Sequence, residues 1–299
     1  MGLLKTLMNP HVTSLSLINY LEQTHLNPNT YIPDLQDEIS MPIIYYCCSN
    51  PNLDEFFMYL IRKGCDLNLP MLCKDPAYQI DLLFYSQTKY IPLLVQHGCR
   101  LSTPEKIEPC VERLLINGNI IKLITLYQSG AINKGQLKAF LTKKDLIFRV
   151  LDHLYEKIFL LSQKVENNEQ VFNETYQEII KAYLNTFKLF FKNGVSINQI
   201  EQGESFAQKV LNTYFIPLIQ FMVDQHVDLE NCQFNHYSNF DLTNRQVMKF
   251  IYNDTNFKLI EELVGDKIEP KKIYVKKVRR VAGGPGGPGG PVGTLPPKS

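Results

Sequence analysis

Apolar positions along the chain recur with helical spacing in front of a turn residue that returns at a nearly constant interval. The turn residues are Gly64, Gly98, Gly130, Gly194 and, in the same register, His226, and successive copies are 34, 32, 64 and 32 residues apart. The residues seven and four positions before each turn are apolar in every copy: Phe57 and Leu60, Ile91 and Leu94, Leu123 and Leu126, Phe187 and Phe190, Ile219 and Met222. This spacing predicts helices with one apolar face, each ending where a left-handed backbone is needed.

A second helix is predicted before each of the first three copies, because Pro42, Pro76 and Pro109 open short apolar segments. Proline suits a first helical position, since its missing N–H would have no intrahelical partner there. The repeating unit is therefore a turn, a short helix, a tight loop, a second helix and a glycine. A period in the low thirties predicts an all-α solenoid of stacked helix-turn-helix units.

The chain resembles the ankyrin repeat family, in the divergent form found in large DNA viruses. Residues 64–68 (Gly-Cys-Asp-Leu-Asn) and 194–198 (Gly-Val-Ser-Ile-Asn) are similar to the closing motif of that repeat. Residues 41–44 (Met-Pro-Ile-Ile) and 75–78 (Asp-Pro-Ala-Tyr) are similar to its opening, although the family's histidine is missing. Cys65 and Cys99 also replace the usual alanine of the closing motif.

The resemblance implies five regions along the chain. Residues 1–40 are expected to form N-terminal capping helices or a degenerate repeat, 41–133 three ankyrin-like repeats, 134–186 a degenerate repeat or helical insertion, 187–265 further repeats and a C-terminal cap, and 266–299 a basic, disordered Gly/Pro-rich tail. For 134–186 the alternatives are nearly one repeat plus an insertion, or a pair of lengthened helices.

Composition favours a reducing, cytoplasmic location, or the host cytoplasm or nucleus if the protein is viral. The seven cysteines are odd in number, scattered and without a Cys-x-x-Cys pair, which indicates buried, reduced thiols. No apolar stretch approaches the roughly 20 residues that a membrane-spanning helix needs.

Motifs of catalysis are missing from the sequence. It contains no Gly-x-Ser-x-Gly, no phosphate-binding Gly-x4-Gly-Lys-Ser/Thr and no His-Glu-x-x-His. The six histidines and seven cysteines follow no zinc-ligand spacing. We therefore predict no catalytic residue, metal, cofactor or small-molecule substrate.

The two ends carry separate signals. Residues 266–299 hold eight Lys and Arg against two acidic residues, a charge of +6 that leaves −5 for the remainder. The basic candidates are Lys271, Lys272, Lys276, Lys277, Arg279 and Arg280, which are suited to binding nucleic acid, to nuclear import, to contact with an anionic membrane or simply to a solvated tail.

At the N-terminal end, Gly2 and Thr6 fit an N-myristoylation pattern. The alternative is that these residues form the first turn of a capping helix.

The ankyrin resemblance implies a non-enzymatic scaffold or adaptor that binds a partner protein through its concave face, using turn tips and first helices. The residues at those positions are Tyr45, Leu69, Met71, Lys74, Gln79, Thr103, Glu105 and Lys106. The alternative is a nucleic-acid-associated or structural protein, such as a virion component, that uses the basic tail.

Overall fold

The computed structural model describes residues 11–34, 39–73, 80–101, 103–143, 145–165, 167–265, 267–268 and 273–274. Over these residues the chain is mainly α-helical, with fourteen helices and a few short strands, as the sequence predicts. Among the described residues, no helix has both the length and the apolar character needed to cross a membrane.

The helices follow one another closely along the chain. They are α1 (Ser14–Thr24), α2 (Ile43–Ser49), α3 (Asp54–Arg62), α4 (Leu82–Tyr85), α5 (Ile91–Gln96), α6 (Pro104–Ile116), α7 (Ile120–Gln128), α8 (Lys134–Leu141), α9 (Leu146–Val165), α10 (Glu169–Lys192), α11 (Phe206–Thr213), α12 (Ile216–Asp224), α13 (Leu242–Val247) and α14 (Asp254–Val264).

With the exception of α8, the helices alternate between two rows. In the second row α1 packs on α3, α5 on α7, α7 on α10, α10 on α12 and α12 on α14. The step from α3 to α5 is made by the rings of Phe57 and Tyr90, whose centroids lie 4.5 Å apart. In the first row α2 packs on α4, and α9 packs on α6, α11 and α13. Each apolar helix face is therefore covered by neighbouring helices, and Leu60, Leu94 and Leu126 are each 0% exposed.

The predicted turn residues end second-row helices with left-handed backbone. Their φ values are +71° at Gly64, +88° at Gly98, +81° at Gly130, +86° at Gly194 and +53° at His226. After each turn, the next N–H donates to the carbonyl five residues earlier, as from Cys65 to Leu60 and from Val227 to Met222. This bond satisfies a carbonyl that the helix end would leave unpaired.

His25 is a further copy of the turn that the pattern of glycines does not reveal. It follows α1 with a φ of +51°. Four residues after it, Asn29 accepts the N–H of Asp66 at 2.7 Å. Asn68, at the same offset from Gly64, accepts the N–H of Arg100 at 2.8 Å. Equivalent asparagines therefore connect successive turns at the start of the chain.

One of the predicted proline positions is wrong. Pro42 directly precedes α2 as predicted, whereas Pro76 lies outside the described residues. Pro109 lies inside α6, and the helix begins instead at Pro104. Pro104 already occupies the favoured first position, while Pro109 is exposed and removes one intrahelical donor.

Residues 134–186 hold the short helix α8 followed by most of a pair of lengthened helices, α9 with 20 residues and α10 with 24. These three helices therefore account for most of this region. Because α10 is continuous, no structural boundary falls between residues 186 and 187. The extra N-terminal turns of α10 reach the later loops, where the ring of Phe172 lies 5.1 Å from that of Phe250.

Short strands connect the rows. The antiparallel sheet β1–β2–β3 comprises Tyr31–Asp34, Ile39–Pro42 and Leu72–Cys73, and the hairpin β4–β5 comprises Ile200–Glu201 and Glu204–Ser205. Strand β6 (Phe234–Asn235) pairs in parallel with β7 (Ile273–Tyr274) near the end of the chain. The helical pattern predicts none of these strands.

The cysteines behave largely as predicted. None of the seven forms a disulfide, and only Cys73 and Cys110 are partly accessible. Burial raises the pKa of Cys65 and of Cys99 to about 12. The thiol of Cys99 donates to the carbonyl of Leu67, 3.3 Å away in the preceding turn. These thiols therefore act as small core side chains.

Candidate functional site

A groove of about 450 Å³ opens between the first-row helices α9, α11 and α13. Tyr155, Phe240 and Tyr252 form its aromatic floor, while Asp152, Glu204, Asp241 and Lys209 supply its charged lining. We call this site the α9–α13 groove. It combines a partly apolar floor with converging polar groups, which is typical of ligand and peptide sites.

The floor is fixed by ring packing and one hydroxyl contact. The rings of Phe240 and Tyr252 lie 5.3 Å apart at 69°, an edge-to-face arrangement. The hydroxyl of Tyr252 donates to that of Tyr155 at 3.2 Å. Tyr252 is 5% exposed, and burial raises the pKa of its phenol well above the usual range. The phenol of Tyr252 therefore stays uncharged.

The β4–β5 hairpin places Glu204 in the groove lining and Glu201 beside it, against Lys209. Gln202 and Gly203 form its two-residue turn with φ values of +52° and +85°, which is typical of a tight hairpin. This turn places Glu201 directly opposite Glu204. Like charges in such a pair repel each other, so each carboxylate needs its own partner.

Each hairpin carboxylate has a partner from α11. The Nδ2 of Asn212 donates to the Oε1 of Glu204 at 2.9 Å. The Nζ of Lys209 lies 3.4 Å from the Oε2 of Glu201 and 3.7 Å from the Oδ1 of Asp152. Lys209 also sits over the ring of Phe148, 5.1 Å from its centroid. The groove thus already holds one ammonium group between carboxylates and an aromatic ring.

The start of α13 completes the wall. Asp241 caps this helix, because its Oδ1 accepts the N–H groups of Thr243 at 2.8 Å and Asn244 at 3.2 Å. Arg245 donates its Nε–H to the carbonyl of Phe240 at 3.0 Å. Among the residues that line the groove, three carboxylates (Asp152, Glu204 and Asp241) and one ammonium group (Lys209) leave a formal net charge of −2.

Two of the residues expected to contact a partner lie in the core instead. Tyr45 is 1% exposed, and its hydroxyl donates to the carbonyls of Leu69 at 3.1 Å and Ile80 at 3.3 Å. Met71 is 4% exposed. The expectation of surface contacts is therefore wrong for Tyr45 and Met71. Tyr45 and Leu69 do meet, at a small cleft of about 280 Å³.

The remaining expected residues fall at the start of α6 or outside the described residues. Thr103 and Glu105 are exposed there, and hydrogen bonds from Thr103 and from a backbone N–H lower the pKa of the Glu105 carboxyl. Lys106 belongs to α6, but its side chain lies outside the description. The other expected residues lie entirely outside the described part of the chain: Gly2, Lys74, Gln79, Lys271, Lys272, Lys276, Lys277, Arg279 and Arg280.

The α9–α13 groove is a feature that sequence reasoning missed. The Gln202–Gly203 turn and the capping Asp241 leave a local signal, because both residue patterns are typical of their structures. Asp152 and Lys209 give no local signal in the sequence, because their proximity depends on how α9 and α11 pack.

In the part of the chain that the structure describes, no three His, Cys, Asp or Glu side chains are arranged to hold a metal ion. No family model, no curated protein and no solved structure matches this chain.

Proposed function

We propose that this chain is a non-enzymatic adaptor, built from divergent ankyrin-like units, that binds a partner protein on its first-row face. The observation that carries the proposal is the α9–α13 groove, which lies where the first-row helices α9, α11 and α13 meet. Aromatic and charged side chains that converge in a cleft are typical anchors for a partner.

The ankyrin-like assignment is supported by three features of the described residues. Helix pairs follow one another in two rows, second-row helices end at equivalent left-handed residues, and Asn29 and Asn68 connect neighbouring turns. Repeat proteins of this kind present extended surfaces to macromolecules. A reducing, cytoplasmic location belongs to the same proposal and is supported by seven cysteines that form no disulfide.

Affinity capture with charge variants of the full chain tests the adaptor. Asp152→Arg reverses a carboxylate whose side chain is 64% exposed, so the substitution should not disturb the core. Glu178→Arg makes the same change on the exposed side of α10 and serves as the control. We expect a protein recovered by the unchanged chain and by the control to be lost with Asp152→Arg. Equal recovery by all three forms would exclude the groove as the binding site.

The second candidate is nucleic-acid binding through the tail, which its charge of +6 favours. Replacing Lys276, Lys277, Arg279 and Arg280 by glutamine removes four positive charges and leaves the β7 residues intact. If the tail binds phosphates, affinity for duplex DNA should fall steeply between about 50 and 200 mM salt and should be lost in this variant. Unchanged DNA affinity in the variant would exclude this role.

A further inference from the structure

We propose that the α9–α13 groove is an intramolecular docking site for residues 275–280 of this same chain, so that an external partner must displace them. We call residues 275–280 the basic segment. The proposal does not depend on the adaptor function, because self-occupancy can be measured without any partner. Three separate observations carry it: the position of β7, the charge of the groove and the chemistry of its floor.

Strand pairing brings the residue that precedes the basic segment to the groove. Tyr274, the last residue of β7, is the register partner of Asn235 in β6. Asn235 is itself part of the groove lining, and its carbonyl is held by the hydroxyl of Tyr214 at 2.6 Å. Tyr274, the residue that precedes the basic segment, therefore lies beside the groove wall. Six extended residues reach at most about 20 Å, which is enough to cross a groove of this size.

The parallel direction of the pair also matters. Residues after Asn235 continue into Phe240 and Asp241, which line the groove. Because β7 runs in the same direction as β6, the C-terminal end of β7 lies on the same side as that connection. A segment leaving an antiparallel partner would depart from the other end of β6.

The charges are complementary. Lys276, Lys277, Arg279 and Arg280 place four positive charges in six residues, and the chain carries no acidic residue after Glu269. The groove carries a net charge of −2 after its own ammonium group is counted. Asp152 is the most available acceptor, because its side chain is 64% exposed and its contact with Lys209 is long, at 3.7 Å. Covalent attachment raises the effective concentration of such a segment to about the millimolar range.

The floor suits the side chains of lysine and arginine. Their aliphatic stems cover apolar surface while the charged ends remain near water and carboxylates. Cations also favour the faces of aromatic rings. Lys209 shows this arrangement within the groove, since it lies over Phe148 and beside Asp152. Tyr155, Phe240 and Tyr252 provide further aromatic surface for the basic segment.

Carbodiimide cross-linking of the full chain at low concentration tests the contact. This reagent joins an amine to a carboxylate that it touches, without a spacer. We expect mass spectrometry of the monomer to find Lys276 or Lys277 joined to Asp152 or Glu204. The double variant Asp152→Asn/Glu204→Gln keeps side-chain size and should lose these products. Glu178→Gln, on the exposed side of α10, should keep them.

Tryptic cleavage within the basic segment is an independent measurement. Docking should protect the bonds after Lys277 and Arg280, so cleavage should be several-fold slower in the unchanged chain than in the double variant. The difference should shrink in about 1 M salt, where charges are screened within about 3 Å. At the bond after Arg280, which trypsin can still cleave, protection should return when Asp152→Lys is combined with Lys276→Glu and Lys277→Glu, because the charges are then exchanged.

Three results would overturn the proposal. Cross-links found only between two chains would assign the groove to a second copy. Lysines of the basic segment joined only to distant carboxylates, such as Glu178 or Glu262, would place the basic segment elsewhere. Equal cleavage rates in the unchanged chain and the double variant would show that the groove does not hold it.

Discussion

At the scale of single residues, Lys122 is the least expected feature of the interior. It lies on α7, is 8% exposed, and donates its Nζ to the carbonyls of Phe84 and Ser86, the latter at 2.7 Å. Both carbonyls belong to the end of α4, where backbone acceptors lack intrahelical partners. Burial lowers the pKa of the lysine. Lys122 therefore connects a second-row helix to the end of a first-row helix.

We predict that Lys122→Ala lowers the free energy of unfolding by about 2–4 kcal/mol, because it leaves two buried acceptors and a cavity. The cost should grow with pH. Because the pKa of Lys122 is lowered in the folded protein, its ammonium group loses a proton at a pH below 10.5, where the unfolded chain still holds that proton. In this pH range the free energy of unfolding of the unchanged protein therefore rises with pH.

Urea titrations from pH 7 to about pH 10.5 provide the measurement, since that interval ends at the ordinary lysine pKa. Lys181→Ala, which removes an exposed lysine from α10, serves as the control and should change little at any pH. A cost of Lys122→Ala that stays constant or declines with pH would contradict the expected direction of the pKa shift.

At the scale of elements, the helix-ending turn is the feature that repeats most faithfully. At both Gly194 and His226 the following N–H donates to the carbonyl five residues earlier. No atom lies within 4 Å of a Cβ built on Gly194, so a side chain has room there. The preference for glycine is therefore a matter of backbone conformation, which costs other residues roughly 1–2 kcal/mol.

We predict opposite effects of exchanging the two turn residues. His226→Gly should raise the free energy of unfolding by about 0.5–1 kcal/mol, and Gly194→Ala should lower it by a similar amount. Denaturant unfolding provides the measurement. His97→Gly is the matched control, because His97 also ends a helix but has a φ of −88° and should gain nothing. Stabilisation by His97→Gly equal to that by His226→Gly would contradict the argument.

Elements governed by local chemistry could be predicted, and those set by packing could not. Gly64 and Gly98 identify helix ends because their left-handed backbone is a local requirement. Pro109 misleads, since a proline looks the same at an exposed interior position as at a helix start. The α9–α13 groove lies beyond such reasoning, because Asp152 and Lys209 are brought together by tertiary contacts alone.

At the scale of the whole molecule, the α9–α10 pair joins the two halves of the chain. Helix α9 packs on α6 as well as on α11 and α13, and α10 packs on α7 and on α12. In a linear array each unit is stabilised mainly by its neighbours. A destabilising substitution in α9 or α10 should therefore lower the local stability of units on both sides. A destabilising substitution at one end of the array should affect only the units near it.

Hydrogen exchange measures this difference. Ile158 on α9 and Leu17 on α1 are both 0% exposed, and truncation of either to alanine should cost about 2–5 kcal/mol. We predict that Ile158→Ala reduces amide protection in α6 and α7 and also in α11 and α12. Leu17→Ala should reduce it in α1 and α3 only. Equal loss throughout the chain in both variants would show a single cooperative unit instead.

The extra length of α10 has a consequence for the history of the gene. At 24 residues this helix is about 36 Å long, against about 14 Å for the nine residues of α12. Its surplus turns rest on Phe250, more than one period further along the chain. Duplicating or deleting a helix pair between Gly64 and Gly98 leaves the contact between Phe172 and Phe250 in place. The same event between Gly194 and His226 would shift Phe250 away from α10, so copy number should vary among descendants only in the first half.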